Sequence, residues 1–168
     1  ILETIREPEE YPIDDSQLIP PLPQEDAAKV EIIRGPGIAL LPIPDAPEHH
    51  LECKVSLKTV DNITTDDITP ASAEFSSMRS NIPLMSQYCY CRYDPDFAAR
   101  AKELGKSIII GGENYGQGSS REHAAINPMY LGVKAVIAKS MARIHKGNLV
   151  NHGIIPMLFA DPADYDRI

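Results

Sequence analysis

The stretch from Gly111 to His123 carries the residue types most suited to chemistry in this chain of 168 residues. It reads Gly-Gly-Glu-Asn-Tyr-Gly-Gln-Gly-Ser-Ser-Arg-Glu-His. Gly116 and Gly118 allow the backbone to take positive φ values or to approach a ligand closely. Free amides at the start of a following helix, together with the guanidinium of Arg121, would attract a carboxylate or a phosphate. The pattern therefore predicts an anion-binding loop.

The same residues allow a purely structural interpretation. Ser119 and Glu122 have the spacing of a capping box, in which two side chains only stabilise the start of a helix. Local spacing does not decide between the cap and the anion site. The loop lacks the Gly-Lys-Ser/Thr ending of a P-loop and also lacks the GxGxxG pattern of dinucleotide-binding folds. Both of these nucleotide-binding motifs are therefore excluded.

Alternating strands and helices are predicted to position this loop. Short apolar runs ending in glycine or polar turns indicate buried strands, and apolar residues at helical spacing indicate the helices between them. The predicted strands cover residues 53–59, 107–110, 133–138 and 154–159, and the predicted helices cover residues 94–105, 120–131 and 141–151. This order predicts an α/β fold with a parallel strand–helix–strand–helix–strand core and right-handed crossovers. The loop would then lie at the carboxyl end of a strand, where α/β folds place ligand sites.

The charge distribution excludes some classes of function. The net charge is −8, and residues 1–50 account for all of it, with 11 acidic against three basic side chains. Residues 51–168 are balanced, whereas a nucleic-acid-binding domain is expected to show a basic surplus, so we predict no nucleic-acid partner. No apolar run approaches the roughly 18 residues of a membrane span. Three cysteines do not make a disulfide framework, so we predict a cytoplasmic location.

Residues 1–50 have the composition of a connector. They contain nine of the 15 prolines in addition to the acidic excess. Proline disfavours helix, so we predict an acidic, proline-rich linker or wrapping segment over residues 1–50 and a folded domain over residues 51–168. A free disordered tail is the alternative for the first segment. The chain begins with Ile1 and stops soon after a predicted strand, so we expect a fragment of a longer protein, truncated at its C-terminus.

Residues 112–125, from Gly-Glu-Asn-Tyr-Gly to Arg-Glu-His-Ala-Ala, closely resemble the signature loop of the aconitase family's swivelling C-terminal domain. The resemblance continues through residues 131–140 and through Ala142-Arg143-Ile144-His145. Upstream, Asp61-Asn62-Ile63-Thr64-Thr65-Asp66 resembles the second signature of that domain. The resemblance implies the three-layer β/β/α swivelling fold that this family shares with the small subunit of isopropylmalate isomerase.

The resemblance also implies an activity and a set of site residues. Aconitases dehydrate and rehydrate their substrate. A 4Fe-4S cluster in other domains binds a carboxylate and the hydroxyl of that substrate. Ser119 matches the serine base that removes a proton next to a carboxylate, and Ser120 and Arg121 match substrate-binding residues. Asp66 matches an active-site aspartate. The arginine that binds a substrate carboxylate is best matched by Arg79, although it lies one residue further from Asp66 than in the family pattern, so an ordinary surface ion pair is the alternative.

No metal ligands are predicted in this chain. Cys89 and Cys91 are too close and too few to complete a zinc or iron–sulfur site, so we predict ordinary buried thiols. The resemblance places the cluster ligands in N-terminal domains of the same protein that are absent here. The isolated chain is therefore expected to be inactive.

The resemblance favours a domain of an aconitate hydratase, a hydro-lyase that interconverts citrate and isocitrate through cis-aconitate. Its expected partners are a tricarboxylate substrate and the cluster-binding domains of the same protein. Homoaconitase and a hydro-lyase like the small subunit of 3-isopropylmalate dehydratase are the alternatives within the family. A non-catalytic anion-binding or RNA-binding module is the alternative from another class.

Overall fold

The computed structural model describes residues 10–168, and the chain divides into two units after Ile33. In the described part of the first unit every residue is exposed, and the regular structure is one short helix, α1 (Gln24–Ala27). The predicted boundary at residue 50 between linker and domain stays a prediction. The first nine residues of that predicted linker lie outside the described residues.

The second unit is built on a sheet of four parallel strands. They are β1 (Lys54–Lys58), β2 (Ser107–Gly111), β3 (Val133–Ala138) and β4 (Ile155–Leu158). Their order in the sheet is the order in the sequence, and each strand pairs in parallel with the next. The predicted α/β class and its parallel core are therefore confirmed.

The connection from β1 to β2 contains most of the helices. Three one-turn helices come first: α2 (Thr65–Ile68), α3 (Ala73–Ser76) and α4 (Ile82–Met85). A 3₁₀ turn over Ser86–Tyr88 follows, and α5 (Phe97–Leu104) then returns the chain to the sheet. The C-cap Gly105 has a φ of 69°, a left-handed conformation that glycine adopts without strain.

Two single helices make the remaining crossovers, as parallel strands require. They are α6 (His123–Tyr130), which connects β2 to β3, and α7 (Arg143–Asn151), which connects β3 to β4. A 3₁₀ helix over Pro162–Arg167 ends the chain. Within residues 10–168 we find no helix long and apolar enough to cross a bilayer.

The hydrophobic core lies between the sheet and its helices. On α5, Phe97 and Ala101 are fully buried, because they occupy the face that packs against β1. Ile109 of β2 and Val136 of β3 are buried beside them in the centre of the sheet. Fully burying one large apolar side chain contributes about 1.5–3 kcal/mol, so a few such contacts outweigh the intrinsic preferences of short helices.

The start of α6 differs from the sequence prediction. The helix was expected to begin near Ser120 but begins at His123, and its N-cap residue, Glu122, makes no side-chain capping bond. The capping-box interpretation of Ser119 and Glu122 is therefore wrong. The physical reason is a tertiary contact, because the hydroxyl of Thr65 donates to the backbone carbonyl of Ser119 and holds this residue outside the helix.

Candidate active site

The segments that follow β1 and β2 are joined by backbone hydrogen bonds. Gly116 N–H donates to the carbonyl of Ile63 over 2.8 Å, and Thr65 N–H donates to the carbonyl of Gln117 over 2.8 Å. Both segments leave the carboxyl ends of neighbouring parallel strands, which meet at one edge of the sheet. The residues 61–66 and 112–125, which sequence analysis singled out separately, therefore form one structure.

The hydroxyl of Ser119 is left free by this arrangement. Its backbone carbonyl accepts a hydrogen bond of 3.0 Å from the buried Thr65 hydroxyl. The Ser119 side chain is exposed and has no hydrogen-bond partner among residues 10–168. The backbone at this position is thus anchored while its nucleophilic atom remains accessible.

Two glycines shape the loop before Ser119. Gly116 and Gly118 have φ values of 76° and 106°, which confirms the predicted positive φ. Gly116 also packs directly against α7, because a Cβ atom there would lie 2.1 Å from Cδ2 of His145. A side chain at position 116 would therefore push the loop away from α7.

Arg121 and Asp66 form an ion pair that links the loop before α6 to α2. The Arg121 side chain is 22% exposed and that of Asp66 is 49% exposed, so solvent screens the attraction only in part. The pairing fixes the direction of the guanidinium, whose remaining N–H groups are still able to bind a second anion. Asp66 therefore acts on Arg121 as a positioning residue in this geometry.

The neighbouring Asp67, to which the sequence assigned no function, completes the cap of α2. Its carboxylate accepts from Thr64 N–H over 2.8 Å, and its own N–H donates to the Thr64 hydroxyl over 3.1 Å. This reciprocal capping box satisfies two donors at the helix start. It holds the first turn of α2, and with it Asp66, against the loop.

Two cavities open on either side of Ser120 and Arg121, which line both. The first, the serine cavity, has a volume of about 270 Å³ and is lined by Thr65, Gly116, Gly118, Ser119, Ser120, Arg121, Ala142, Arg143, Ile144, His145 and Asn148. The second, the arginine cavity, has a volume of about 230 Å³ and is lined by Thr69, Pro70, Ala71, Arg79, Met85, Ser120, Arg121, Glu122 and His123.

Four of the five predicted site residues line these cavities, and the fifth, Asp66, contacts one of the four. Ser119 lies in the serine cavity and Arg79 in the arginine cavity. The backbone carbonyl of Arg79 accepts a 2.9 Å hydrogen bond from Nε2 of His123, while the residue itself is exposed. Asp66 lines neither cavity and reaches the site through Arg121. Arg79 and Ser119 therefore line different cavities, and Ser120 and Arg121 belong to both.

Sequence reasoning missed the contribution of α7. Arg143 and His145 line the serine cavity together with Thr65, another residue that was overlooked. The resemblance had drawn attention to residues 142–145 without assigning them a function. Their residue types could have indicated a functional position, since an arginine and a histidine, both able to bind an anion, lie in the first turn of a helix. Only the tertiary structure brings them to the same cavity as Ser119.

His145 is buried without a polar partner. It is 2% exposed, and both of its ring nitrogens lack a hydrogen bond among the described residues. Burial lowers the pKa of His145 to about 4, because the charged imidazolium is poorly solvated there. The ring is therefore neutral at pH 7 and carries one donor and one acceptor nitrogen.

The described residues do not fit an iron–sulfur cluster. Nowhere in residues 10–168 do three or more His, Cys, Asp or Glu side chains group as metal ligands. Cys89 is buried, and burial raises the pKa of its thiol to about 12, so it stays protonated and is a poor ligand. Cys53 and Cys91 are partly buried free thiols. No step of the chemistry is therefore assigned to a cluster held by this chain.

Residues 53–162 match the profile of the aconitase C-terminal domain. A putative mitochondrial aconitate hydratase from Aspergillus fumigatus is 39% identical over an alignment of 167 positions, gaps included, and the alignment covers 84% of this chain and 21% of the fungal protein. A mitochondrial aconitate hydratase from Candida albicans is 35% identical over an alignment of 172 positions, gaps included, and the alignment covers 87% of this chain and 22% of that protein. The chain thus spans about a fifth of the length of these curated relatives.

A solved structure supports the same relationship. The crystal structure of 3-isopropylmalate dehydratase from Methanocaldococcus jannaschii is 41% identical to the chain and superimposes with a TM-score of 0.52. The match covers 59% of this chain and 56% of the archaeal one. The predicted fold relationship to this small-subunit type is therefore confirmed.

Proposed function

The chain belongs to the aconitase C-terminal domain family, and we propose that it supplies the substrate-binding and proton-abstracting side of an aconitate hydratase. The two fungal relatives named above are described as a putative aconitate hydratase and as an aconitate hydratase, and they are about five times longer than the chain. We therefore also propose that the chain acts as one domain of a longer hydro-lyase. The remaining domains of that protein and a tricarboxylate are its proposed partners.

The observation that carries this proposal is the free hydroxyl of Ser119 in a cavity with two arginines. Ser119, Arg121 and Arg143 line the serine cavity, and among residues 10–168 no acidic side chain lines it. A serine hydroxyl is a weak base unless nearby donors stabilise its alkoxide. The cations of this cavity provide that stabilisation, and closure against another domain would strengthen it by excluding water.

The proposed reaction is a reversible elimination. The Ser119 alkoxide takes the proton from a carbon next to a substrate carboxylate, and the electrons of that C–H bond form a carbon–carbon double bond. The hydroxyl leaves from the adjacent carbon, which gives the unsaturated acid and, with a proton, water. Readdition of water across the double bond, with the Ser119 proton returned to carbon, gives either hydroxy acid.

The other predicted residues would hold the carboxylates. Ser120 and Arg121 line both cavities and would bind one carboxylate of a substrate that reaches both. Arg79 would bind another in the arginine cavity through the planar fork of its guanidinium. Asp66 would keep Arg121 in its binding orientation through their ion pair.

The family resemblance implies a 4Fe-4S cluster in the other domains of the full-length protein. The thiols of this chain do not fit the ligation of such a cluster, for the reasons given above, so the isolated chain is proposed to be inactive. The predicted cytoplasmic location stays a prediction, and the Aspergillus and Candida relatives are described as mitochondrial.

A hydro-lyase acting on 3-isopropylmalate is the second candidate. It is favoured by the 41% identity to the archaeal 3-isopropylmalate dehydratase. Such a substrate has two carboxylates and an aliphatic branch, whereas citrate has three carboxylates. The two candidates share the proposed chemistry of Ser119 and differ in what fills the rest of the site.

The decisive experiment supplies the full-length protein, with its cluster reconstituted, separately with citrate, homocitrate and 3-isopropylmalate. Formation of the unsaturated acid is followed by ultraviolet absorbance. Turnover of citrate in clear preference to the other two is the expected result. Preference for either other acid would contradict the aconitate hydratase assignment while keeping a hydro-lyase. Absence of turnover with all three would contradict both and leave a non-catalytic anion-binding domain.

A further inference from the structure

We propose that His123 is a positioning residue for Arg79 and thereby sets where the arginine cavity binds a substrate carboxylate. His123 lies outside the five predicted site residues, and this role rests on the proposed function, in which Arg79 binds one carboxylate. His123 acts on the substrate through Arg79 and takes no part in the proton transfer.

Arg79 lies on a short turn with little regular structure of its own. Residues 77–80 form this turn between the one-turn helices α3 and α4. The guanidinium of Arg79 has no ion-pair or hydrogen-bond partner among residues 10–168, so the surface ion pair considered from the sequence is absent from this part of the chain. The placement of the guanidinium therefore depends on how firmly the backbone of the turn is held.

Two hydrogen bonds from distant parts of the chain hold this turn. Nε2 of His123 donates to the carbonyl of Arg79 over 2.9 Å, and Ala39 N–H donates to the carbonyl of Ser80 over 3.0 Å. A carbonyl oxygen only accepts, so Nε2 of His123 carries a proton. The bond from His123 is the one that holds the carbonyl of Arg79 itself, because Ala39 binds the next residue.

The ring of His123 extends from a well-anchored position, the first residue of α6. The backbone carbonyl of His123 accepts a 3.2 Å hydrogen bond from the hydroxyl of Thr69, which is 1% exposed. Asn127, one turn further along α6, donates to the same hydroxyl over 3.3 Å. Buried polar groups therefore hold the helix start from which the imidazole reaches Arg79.

The hydrogen bond from His123 connects Arg79 to the loop that carries the proposed base. His123 follows Arg121 by two residues, and both line the arginine cavity together with Arg79. A substrate with one carboxylate at Arg121 and another at Arg79 needs a defined distance between the two guanidinium groups, since charge-assisted hydrogen bonds are short and directional. The His123 bond sets that distance, because it fixes the turn of Arg79 against the start of α6.

Ser119 is held by a different hydrogen bond. Its carbonyl accepts from the hydroxyl of Thr65, whereas Nε2 of His123 donates to Arg79. His123 lines the arginine cavity and is not among the residues of the serine cavity. Loss of the imidazole donor should therefore weaken substrate binding and leave the proton abstraction nearly unchanged, which is a rise in KM at a preserved kcat.

The test compares two amide replacements of His123 in the full-length protein with its cluster reconstituted. The amide nitrogen of glutamine takes the place of Nε2, whereas that of asparagine, one carbon shorter, takes the place of Nδ1. We expect His123→Asn to raise KM for citrate by about threefold to tenfold, as for the loss of one hydrogen bond, with kcat changed by less than about twofold. His123→Gln should restore most of the original KM.

A double-mutant cycle separates an action through Arg79 from a general effect on the fold. In a protein that already carries Arg79→Gln, His123→Asn should change KM by less than about twofold, because the guanidinium that it positions is gone. His152→Asn is the matched control, since His152 is a partly buried histidine at the end of α7 that lines neither cavity. This control should leave KM unchanged.

Three results would overturn the positioning role. The first is a KM of His123→Asn equal to that of the unmutated protein or of His123→Gln. The second is an equal rise in KM with and without Arg79→Gln, or a fall in kcat as large as the rise in KM. The third is failure of His123→Asn to fold, seen as loss of the far-ultraviolet circular dichroism, because His123 would then serve the stability of α6.

Calorimetric titration with propane-1,2,3-tricarboxylate separates a failure of this role from a failure of the proposed function. The same pattern in the dissociation constants, in a protein without turnover of citrate, homocitrate or 3-isopropylmalate, would support the role of His123 and contradict the proposed enzyme. Citrate turnover with a KM raised by Arg79→Gln but not by His123→Asn would overturn the positioning role alone. Unchanged KM and binding in Arg79→Gln, or a protein that neither binds the probe nor turns over citrate, would overturn both proposals for Arg79 and His123.

Discussion

The hydroxyl of Thr65 donates a 3.0 Å hydrogen bond to the backbone carbonyl of Ser119. The two residues are 54 positions apart and belong to the segments that follow β1 and β2. This contact keeps Ser119 outside α6 and its hydroxyl free in the serine cavity. The position of the proposed base is therefore set by a buried threonine rather than by a helix cap.

Replacing Thr65 by valine should disturb Ser119 without removing it. Valine is close in volume to this buried side chain but cannot donate to the carbonyl, so Ser119 loses this hydrogen bond while the backbone bonds of the loop remain. We expect kcat of the full-length enzyme to fall by about tenfold with little change in KM, and the free energy of unfolding to fall by about 1 kcal/mol. Thr65→Ser, which keeps the donor, is the control, and equal activity of both variants would contradict the anchoring role.

Ser119→Ala should remove most of the turnover while keeping substrate affinity. The change deletes the proposed proton acceptor and leaves Arg121 and Arg143 in place. We expect kcat to fall by ~10³-fold or more, with the dissociation constant changed by less than about threefold. Steady-state kinetics and calorimetry measure the two quantities. Ser72→Ala, at an exposed serine that makes no capping bond, is the control. Near-normal turnover of Ser119→Ala would rule out this residue as the base.

Arg79→Lys should raise KM if this arginine binds a carboxylate through both arms of its guanidinium. Lysine keeps the charge but offers a single ammonium, so the second contact is lost. An increase in KM of about fivefold to tenfold, with a smaller change in kcat, is expected from steady-state kinetics. Arg92→Lys, at an exposed arginine outside both cavities, is the matched control. Equal KM values for the two variants would remove Arg79 from the site.

Two glycine substitutions should change stability in opposite directions. Gly116→Ala places a Cβ atom 2.1 Å from the His145 ring at a φ of 76°, so the loop or α7 must move. We expect a loss of about 2 kcal/mol or more in the free energy of unfolding. Gly147 lies inside α7, where an added Cβ atom would meet open space, and Gly147→Ala should gain about 0.5–1 kcal/mol. Urea denaturation of the two variants provides the comparison.

The buried His145 should make stability depend on pH. Its pKa is about 4 in the folded protein and about 6.5 when unfolded, so the unfolded chain binds more protons between these values. The free energy of unfolding is therefore highest above pH 6.5 and falls as the pH approaches 4, by about 3 kcal/mol in total from this residue. Urea denaturation across this range should give a steeper dependence for the unmutated protein than for His145→Phe. Identical slopes would show that His145 titrates normally when folded.

Much of the fold could be predicted because strand and helix patterns are local. The bounds predicted for the strand over residues 133–138 are those of β3, since its apolar run has sharp ends at Gly132 and Lys139. The order of strands and helices after residue 94 was also correct. The predicted start of α6 was wrong, because helix propensity and a capping pattern depend only on neighbouring residues. They contain no information about the hydrogen bond from Thr65 to Ser119.

Part of the candidate site could be predicted as well. Residue types indicated an anion-binding loop with Arg121, although spacing left a helix cap as an equal alternative. The resemblance then picked out Ser119, Ser120, Asp66 and Arg79 as site residues. The spacing did not reveal that Asp66 pairs with Arg121, because an ion pair between residues 55 positions apart depends on how two strands are paired. It also did not reveal which residues would share a cavity.

The sequence by itself therefore determined the class of fold, the order of its elements after residue 94 and the loop proposed to carry the chemistry, because these follow from local periodicity and a long specific motif. The tertiary structure alone decided which groups meet. In the folded chain Thr65 forms a hydrogen bond with Ser119, and Asp66 forms an ion pair with Arg121. The first residues of α7 line the serine cavity. The physical reason is that parallel strands bring distant loops to one edge of a sheet, where hydrogen bonds and charges between them are fixed by strand pairing rather than by neighbours in the chain.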